Sequence, residues 1–321
     1  MTTGGPVTYV ILTHRDWTQV RRLAGAILAS SPEATILIAH DARREPFPAK
    51  VDDARIEILA HGRAADWGSW DLVEATLDAF AQARTRFDPQ LVCLLSGSDY
   101  PVRPLPAWEA EALAADSWIG TAEPLEYTPR WGRRRGTGDD RWTRYAYRWF
   151  RSPFPARATP LPPWRVRLRR GFFLRTEPLF GLRIVARGRG LHYGVRRLNL
   201  PFRPDRPCWF GSQWLAVRRT ELDRLLDRDF APGSRLRRLY SSSIIPDESA
   251  LVTALSWEAP PSPLAPVSHV RWDAARDGPV TWTLADLDEL TASASPFCRK
   301  VDSTRSGDLL SALDRITASA G

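Results

Sequence analysis

Short apolar runs that alternate with amphipathic segments constrain the fold of this chain more than any other feature. The apolar runs predict buried strands, because each is brief, rich in aliphatic residues and followed by polar residues. The segments between them have apolar residues at helical spacing, such as Val20, Leu23 and Ile27 after a potential cap at Asp16. The predicted elements are strands Val7 to Leu12, Thr35 to Ala39, Ile56 to Leu59 and Leu91 to Leu95, and helices from Val20 and over Trp70 to Ala83. This order predicts an α/β fold with a mostly parallel sheet and helices on both faces.

The alternating pattern is interrupted at residues 125 to 206, where Pro and Arg are frequent and aromatic residues are scattered. We interpret this segment as an insertion over one face of a single domain. Regular structure is predicted to resume with a strand over Cys208 to Val217 and helices over Glu221 to Leu226, Glu248 to Leu255, Thr283 or Asp286 to about Ala292, and Asp308 to Ala318.

Polar residues follow three of the predicted strands. Thr13 and His14 follow the first, Asp41 the second and Asp99 the fourth. In an open parallel sheet the ligand binds beyond the carboxyl ends of the strands, so these residues are candidates for a ligand site. The alternatives are a structural histidine and an Asp99 that only organises a turn.

The charge of the chain points to an anionic partner. The formal net charge is +8 and the pI is about 9.9, and a positive potential raises the local concentration of negative ligands. A nucleotide sugar, a nucleic acid and an anionic membrane surface all qualify. The cations are concentrated between Arg130 and Arg170, where Trp and Tyr residues lie among them.

Lysine is almost absent, which makes one lysine conspicuous. The chain has Lys only at positions 50 and 300, and Lys300 follows Arg299. A compact ammonium beside a guanidinium fork can bind a phosphate group. The alternative is a solvated pair of cations.

The segment Pro246 to Ser249 contains two acidic residues, Asp247 and Glu248, before an apolar run. Acidic residues are common at helix starts, where they stabilise the free amide groups. The preceding Ile244 and Ile245 favour a second interpretation, in which Glu248 is partly desolvated and its pKa is raised towards that of a general base.

The acidic motifs do not predict a metal site. Asp-x-Asp spacing occurs at Asp227 to Asp229 and at Asp286 to Asp288, both in helix-like segments, whereas a metal-binding turn after a strand is expected in many nucleotide-sugar transferases. We therefore predict metal-independent chemistry. Cys93, Cys208 and Cys298 are dispersed and predict packed, reduced thiols. Without a signal sequence or a long apolar run, the chain is expected to be soluble and cytoplasmic.

Taken together, these segments resemble the core-2/I-branching β-1,6-N-acetylglucosaminyltransferase and peptide O-xylosyltransferase family (glycosyltransferase family 14). The resemblance extends over about residues 7 to 302, and the similar blocks occur in the family's order. They are Tyr9 to His14, His40-Asp41, Asp66-Trp67-Gly68 with Leu72 to Ala75, Leu94 to Pro101, Gly211 to Arg219, Pro246 to Ser249, and Phe297 to Lys300.

The resemblance implies a GT-A type, Rossmann-like fold, with a nucleotide-sugar-binding half at 7–124, the insertion at 125–206, a catalytic half at 207–302 and a C-terminal helix at 303–321. It implies inverting transfer from a UDP-sugar, with GlcNAc or xylose as the expected sugar and no required metal ion or other cofactor.

Residue by residue, the resemblance implies that Glu248 is the general base and that Arg299 and Lys300 bind the diphosphate. A further phosphate contact falls near Arg276, with Arg271 as the competing candidate. The remaining implied positions are Thr13, His14, Asp41, Asp66, Trp67, Asp99, Gln213 and Trp214 for the donor, and Glu123, Arg141 and Trp272 for the acceptor.

The chain also departs from the better-known family members, which are membrane-anchored and disulfide-linked. Its three cysteines are too few for such a framework, and its Arg-rich composition is typical of a high-GC bacterial genome. The expected acceptor is therefore a bacterial glycan, glycolipid or small molecule. The competing hypothesis is a protein that binds nucleic acid or an anionic surface through the Arg-rich insertion. No nucleic-acid motif supports binding of nucleic acid. Peripheral contact with a membrane is a further alternative.

Overall fold

The computed structural model describes residues 6–48, 50–152, 162–185, 190–259, 261, 264–273 and 278–318. The first elements are β1 (Val7–Thr13), α1 (Trp17–Ser30), β2 (Thr35–Asp41), β3 (Ile56–His61), α2 (Trp70–Phe87), β4 (Leu91–Ser96), β5 (Asp99–Pro101), α3 (Leu105–Ala114), β6 (Ser117–Trp118) and β7 (Ala122–Leu125). Next come β8 (Tyr127–Thr128), β9 (Thr137–Gly138), α4 (Thr143–Ala146), β10 (Tyr147–Arg151), α5 (Pro163–Arg175), β11 (Phe180–Val185) and β12 (Gly190–Arg196). The last are β13 (Cys208–Gly211), β14 (Ala216–Arg218), α6 (Arg219–Arg224), α7 (Arg235–Tyr240), α8 (Ala250–Ser256), β15 (Ser268–Val270), β16 (Trp272–Asp273), β17 (Gly278–Pro279), α9 (Leu287–Ala292), β18 (Phe297–Arg299) and α10 (Gly307–Ala318).

The fold is of the mixed α/β class, built on a six-stranded sheet in the order β3-β2-β1-β4-β14-β6. Its strands β3, β2, β1 and β4 are parallel, and β14 is antiparallel to both of its neighbours. Strands β1, β2 and β4 are buried along their whole length, because helices and loops cover both faces of the sheet. The predicted α/β class and mostly parallel sheet are confirmed.

Helix α1 begins where the sequence predicts it. The Asp16 carboxylate accepts a hydrogen bond of 3.1 Å from the Gln19 amide and so satisfies one of the free donors of the first turn. Helix α2 is capped by Ser69 in the same way and runs beyond the predicted Ala83 to Phe87.

The predicted strand over Cys208 to Val217 is wrong. The segment forms two strands in different sheets: β13 pairs with β7, and β14 pairs with β4 and β6. Between them the chain crosses from one partner to the other at Ser212 to Leu215, and the Leu215 carbonyl accepts from the Leu94 amide at 2.8 Å. The apolar pattern of a strand does not specify its partner, so the break was not visible in the sequence.

The predicted helix over Glu248 to Leu255 begins too early. Pro246–Glu248 forms a separate 3-10 turn, and α8 begins at Ala250. Ser249, between the two, has φ −145° and ψ −35°, which are not helical values. The acidic residues therefore belong to a turn with its own geometry.

The segment between β7 and β13 forms a separate antiparallel sheet in the order β10-β12-β11, with α5 beside β11. Tyr147 and Trp149 from β10 pack with Ile244 and Ile245 in a small apolar cluster that also contacts Trp67. Because β7 and β13 pair with each other, the two ends of this segment lie next to each other where they join the rest of the fold.

All three cysteines are buried and free, which confirms their prediction as packed thiols. Burial raises the pKa of Cys208 to about 12 and the pKa values of Cys93 and Cys298 well above the ordinary value, so these groups remain protonated at neutral pH. Within the ranges that the structure describes, no helix combines the length and apolar character that crossing a membrane requires.

Candidate functional site

A cleft of about 880 Å³ opens at the carboxyl ends of the parallel strands. The last residues of β1, β2, β3 and β4 all line it; they are Thr13, Asp41, His61 and Ser96. The strand order places β2 on one side of β1 and β4 on the other. The chain therefore reverses its direction of progress across the sheet at β1, and such a switch point is where ligands bind in open α/β sheets.

Gly97 allows the loop after β4 to pass close to β1 at this switch point. The Gly97 amide donates a 2.9 Å hydrogen bond to the Leu12 carbonyl, and a Cβ atom on Gly97 would lie 2.8 Å from Thr13 Oγ1 and 2.9 Å from Val20 Cγ2. No side chain fits without movement of these neighbours.

We therefore expect Gly97→Ala to lower the free energy of unfolding by about 1–3 kcal/mol through overpacking. The matched control is Gly25→Ala in α1, where a Cβ atom would have no neighbour within 4 Å; there alanine should be neutral or stabilise by up to about 1 kcal/mol. Urea unfolding of both variants measures the difference, and equal effects would contradict the steric explanation.

One wall of the cleft is cationic. Arg299 and Lys300 line it together with Arg15 and Arg305. The Arg299 guanidinium carbon lies 4.5 Å from the centre of the Trp214 ring, which fixes the orientation of the side chain. Predicted donor residues Gln213 and Trp214 thus line the same cleft as the predicted diphosphate pair.

Asp99 lies beneath this wall and does not line the cleft. It is fully buried and accepts hydrogen bonds from the Ser96 amide at 2.6 Å, the Ser96 hydroxyl at 2.5 Å and the Ser268 hydroxyl. Burial raises the pKa of Asp99, although Arg299 and the hydrogen bonds act in the opposite direction. In strand pairing Asp99 lies opposite Arg299, so its place in the structure is that of a support for the cationic wall.

Asp41, His14 and Trp67 also line the cleft, and with Lys300 they line a smaller adjoining cavity. Burial opposes the ionisation of Asp41, but hydrogen bonds from the Arg43 side chain and backbone outweigh it and lower the pKa; one bond is 2.6 Å long. Burial, assisted by Arg15, lowers the pKa of His14. An ionised carboxylate and a neutral imidazole therefore face the cleft at neutral pH.

Asp66 lies at the rim. It does not line the main cleft but an adjoining cavity of about 500 Å³, which shares His14, Trp67 and Lys300 with the cleft. Its carboxylate forms an ion pair of 2.8 Å with Arg44. Asp66 and Trp67 thus line the same adjoining cavity.

Glu248, the predicted base, lies outside the lining of the main cleft and forms an ion pair of 2.8 Å with Arg144. Its side chain is 26% exposed, which agrees with the expectation of partial desolvation. Arg144, which lies 104 positions away in the insertion, could not be predicted as its partner.

The turn that contains Glu248 is bonded on both sides to segments that lead to the cleft. The Ile245 amide donates to the Gly68 carbonyl at 3.2 Å, and Gly68 follows the cleft residue Trp67. On the other side the Ser249 hydroxyl donates to the Trp209 carbonyl at 2.7 Å, and the strand of Trp209 leads to Gln213 in the cleft. Two hydrogen bonds therefore join the residues on either side of the Glu248 turn to segments that also contain cleft residues.

Two of the three predicted acceptor residues lie together. Arg141 forms an ion pair of 2.5 Å with Glu123, and its guanidinium carbon lies 3.9 Å from the centre of the Phe210 ring. Phe210 belongs to the same strand as Trp209. Arg141, Glu123 and Phe210 thus form a polar group with an aromatic face beside β13. This is the strand that accepts the hydrogen bond from Ser249.

The third acceptor candidate, Trp272, lies in a different hairpin. Trp272 is 67% exposed in the hairpin of β16 and β17, whose residues Gly278 and Pro279 line the cleft. Arg276 lies outside the described residues. Arg271, the competing candidate, forms an ion pair of 2.7 Å with Asp286 and stacks on Trp282.

Aspartates of both Asp-x-Asp motifs form ion pairs with arginines. Asp227 pairs with Arg84 and Asp229 with Arg228, while Asp286 pairs with Arg271. In the described part of the chain, no group of three or more His, Cys, Asp or Glu side chains is placed to bind a metal ion. Metal independence stays a prediction.

In comparisons with known proteins, no protein-family model matches the chain, and no curated protein sequence matches it.

Several cleft residues were not predicted. Arg305, which binds Asp302 and Thr281 at 2.8 Å, and His61 both line the cleft. His61 could have been found by extending the predicted third strand by two residues to its polar end. The contact of Arg144 with Glu248 could not have been found in this way, because the two residues lie in distant parts of the sequence.

Proposed function

We propose that the protein is an inverting glycosyltransferase that transfers a sugar from a UDP-sugar to an acceptor hydroxyl, with Glu248 as general base. The observation that supports this most is the cleft at the switch point of the sheet, which is lined by Arg299 and Lys300. The Glu248 turn is joined by hydrogen bonds of Ile245 and Ser249 to the segments that lead to this cleft. The fold class and the strand-end site agree with a nucleotide ligand. The GT-A identity and the family membership remain part of the proposal and rest on the ordered sequence blocks.

In the proposed reaction the acceptor oxygen attacks the anomeric carbon while the bond from that carbon to the β-phosphate oxygen breaks. Glu248 takes the proton of the acceptor hydroxyl. UDP leaves with the bonding electron pair, and its added negative charge is stabilised by Arg299 and Lys300. Because a single displacement inverts the anomeric centre, the base and the leaving diphosphate must lie on opposite sides of the sugar.

The residues that line the cleft suggest how the donor would be bound. Arg299 and Lys300 suit the diphosphate, and Trp67 and Asp41 suit the uridine, since an aromatic ring stacks on a base and a carboxylate accepts from ribose hydroxyls or the uracil N–H. The Arg141, Glu123 and Phe210 group suits a sugar acceptor, because it combines hydrogen-bonding groups with an aromatic face. GlcNAc and xylose are the donor sugars that we propose first.

The first test is a binding panel of UDP-GlcNAc, UDP-xylose, UDP-glucose, UDP-galactose and UDP-glucuronate in the presence of a chelator. We expect one UDP-sugar to bind more tightly than the others and chelation to have no effect on its Kd. Binding of none of them would overturn the proposal, and binding that requires a divalent cation would overturn its metal-independent part.

A further inference from the structure

Helix α5 and the outward face of the sheet β10-β12-β11 form a continuous exposed surface that combines cations with apolar side chains. We call it the basic apolar surface. None of the side chains of α5 is buried. Trp164 is 57% exposed, Leu168 66% and Ile184 71%.

The apolar residues of the sheet lie on the outward face because of the strand register. Phe180 pairs with Val195, and Phe150 pairs with Tyr193. All four are exposed, whereas Tyr147 and Trp149 on the opposite face are buried. The sheet is thus apolar on both faces, which is unusual for a sheet that faces water on one side.

Aromatic contacts join the helix to the sheet. The rings of Phe172 and Phe180 are stacked with their centres 6.4 Å apart, and the rings of Phe173 and Tyr193 are 6.0 Å apart. Phe172, Phe180 and Tyr193 nevertheless remain more than a third exposed. An exposed apolar patch of this extent marks an interaction site.

The charge of the surface identifies its partner as anionic. Helix α5 contains five arginines and no carboxylate, and the carboxylate nearest to it in the sequence is Glu177. Glu177 is already occupied, since it accepts from the Tyr127 hydroxyl and from the Gly136 amide at 2.7 Å. In the part of the chain that the structure describes, no α5 arginine forms an ion pair with a carboxylate; these residues are Arg165, Arg167, Arg169, Arg170 and Arg175.

The combination favours a lipid surface over a nucleic acid. Single-stranded nucleic acids are bound by basic grooves with aromatic rings, on which the bases stack. Here aliphatic side chains such as Val166, Leu168 and Ile184 are exposed beside the rings. They gain free energy only by burial in an apolar medium, such as the headgroup and acyl-chain boundary of a bilayer, while the arginines contact anionic headgroups.

We infer that the basic apolar surface docks the protein on an anionic membrane surface. This inference does not depend on the proposed activity, because none of the residues of this surface lines the cleft. Both components are required: arginines for attraction to the headgroups, and apolar side chains for shallow insertion.

Cosedimentation with vesicles tests the inference. We expect the full chain to bind vesicles that contain phosphatidylglycerol, to bind pure phosphatidylcholine vesicles much less, and to be released by high salt. The double variant Arg165→Glu/Arg167→Glu should weaken binding by at least about thirtyfold, since each cation near such a surface contributes about a fivefold factor. The control Arg21→Glu/Arg238→Glu makes the same change in net charge at exposed arginines on α1 and α7 and should have a much smaller effect.

The apolar component is tested with Leu168→Ser/Ile184→Ser, which should reduce binding while the salt dependence is retained. Equal losses in the two charge-reversal variants would show that net charge and not this surface is responsible, and would overturn the inference. Failure of the wild-type chain to bind anionic vesicles, or binding of a single-stranded oligonucleotide in preference to vesicles, would also overturn it.

Discussion

Glu248→Gln is expected to lower the rate of sugar transfer by about 10²–10⁴-fold and to leave the Kd for the UDP-sugar nearly unchanged. Glutamine has the size of glutamate, and its amide oxygen can still accept a hydrogen bond from Arg144, which lies 2.8 Å from the native carboxylate. The ability to take a proton is lost, together with the negative charge that pairs with Arg144. Release of UDP measures the rate, with an active acceptor or, until one is known, with water.

The matched control for this variant is Glu258→Gln. Glu258 also forms an ion pair with an arginine, Arg228 at 2.6 Å, but it follows the other end of α8 and does not contact the cleft. Its activity should stay within about twofold of the wild type. Full activity in Glu248→Gln would remove Glu248 as the base, whereas an equal loss in both variants would assign the effect to the ion pairs.

Lys300→Ala is expected to weaken UDP binding by about 10- to 100-fold. A charge-assisted hydrogen bond contributes about 1.5–3 kcal/mol, and alanine replaces the ammonium of Lys300 in the cationic wall of the cleft. Isothermal titration calorimetry with UDP gives the Kd directly and needs neither the donor sugar nor the acceptor. Binding should also weaken as the salt concentration rises.

The sequence offers a natural control, because Lys50 is the only other lysine of the chain. Lys50 is exposed and does not line the cleft, so Lys50→Ala changes the net charge equally and should leave the Kd unchanged. An unchanged Kd in Lys300→Ala would contradict the assignment of the diphosphate to this wall. The unfolding free energy of both variants should match that of the wild type, so that a loss of binding is not a loss of structure.

The central sheet could be predicted from sequence because its strands are local patterns. Strands β1, β2 and β4 are continuous apolar runs that end at polar residues, and this pattern follows from burial on both faces. The polar ends of these strands then indicated Thr13, His14 and Asp41, and all three line the cleft.

What the sequence could not show is pairing between distant segments. The change of partner between β13 and β14 depends on where β7 and β4 lie, and the contact of Glu248 with Arg144 joins two segments that share no local pattern. Asp99 was correctly placed after β4, but its complete burial follows from pairing of β5 with β18, nearly two hundred residues later in the chain. Local rules thus located the site, and tertiary contacts determined which side chains reach it.

The pairing of β7 with β13 has a consequence for how such a protein can diversify. The two ends of the intervening segment are fixed next to each other by four paired residues on each strand, and closing a longer loop between fixed ends costs little additional free energy. Segments of very different length and sequence can therefore occupy this position without displacing the sheet or the cleft. The contacts that must be retained include the pair of Arg144 with Glu248 and the packing of Tyr147 and Trp149 against Ile244 and Ile245. With these in place, surface preference and acceptor preference can change while the proposed chemistry at the strand ends stays the same.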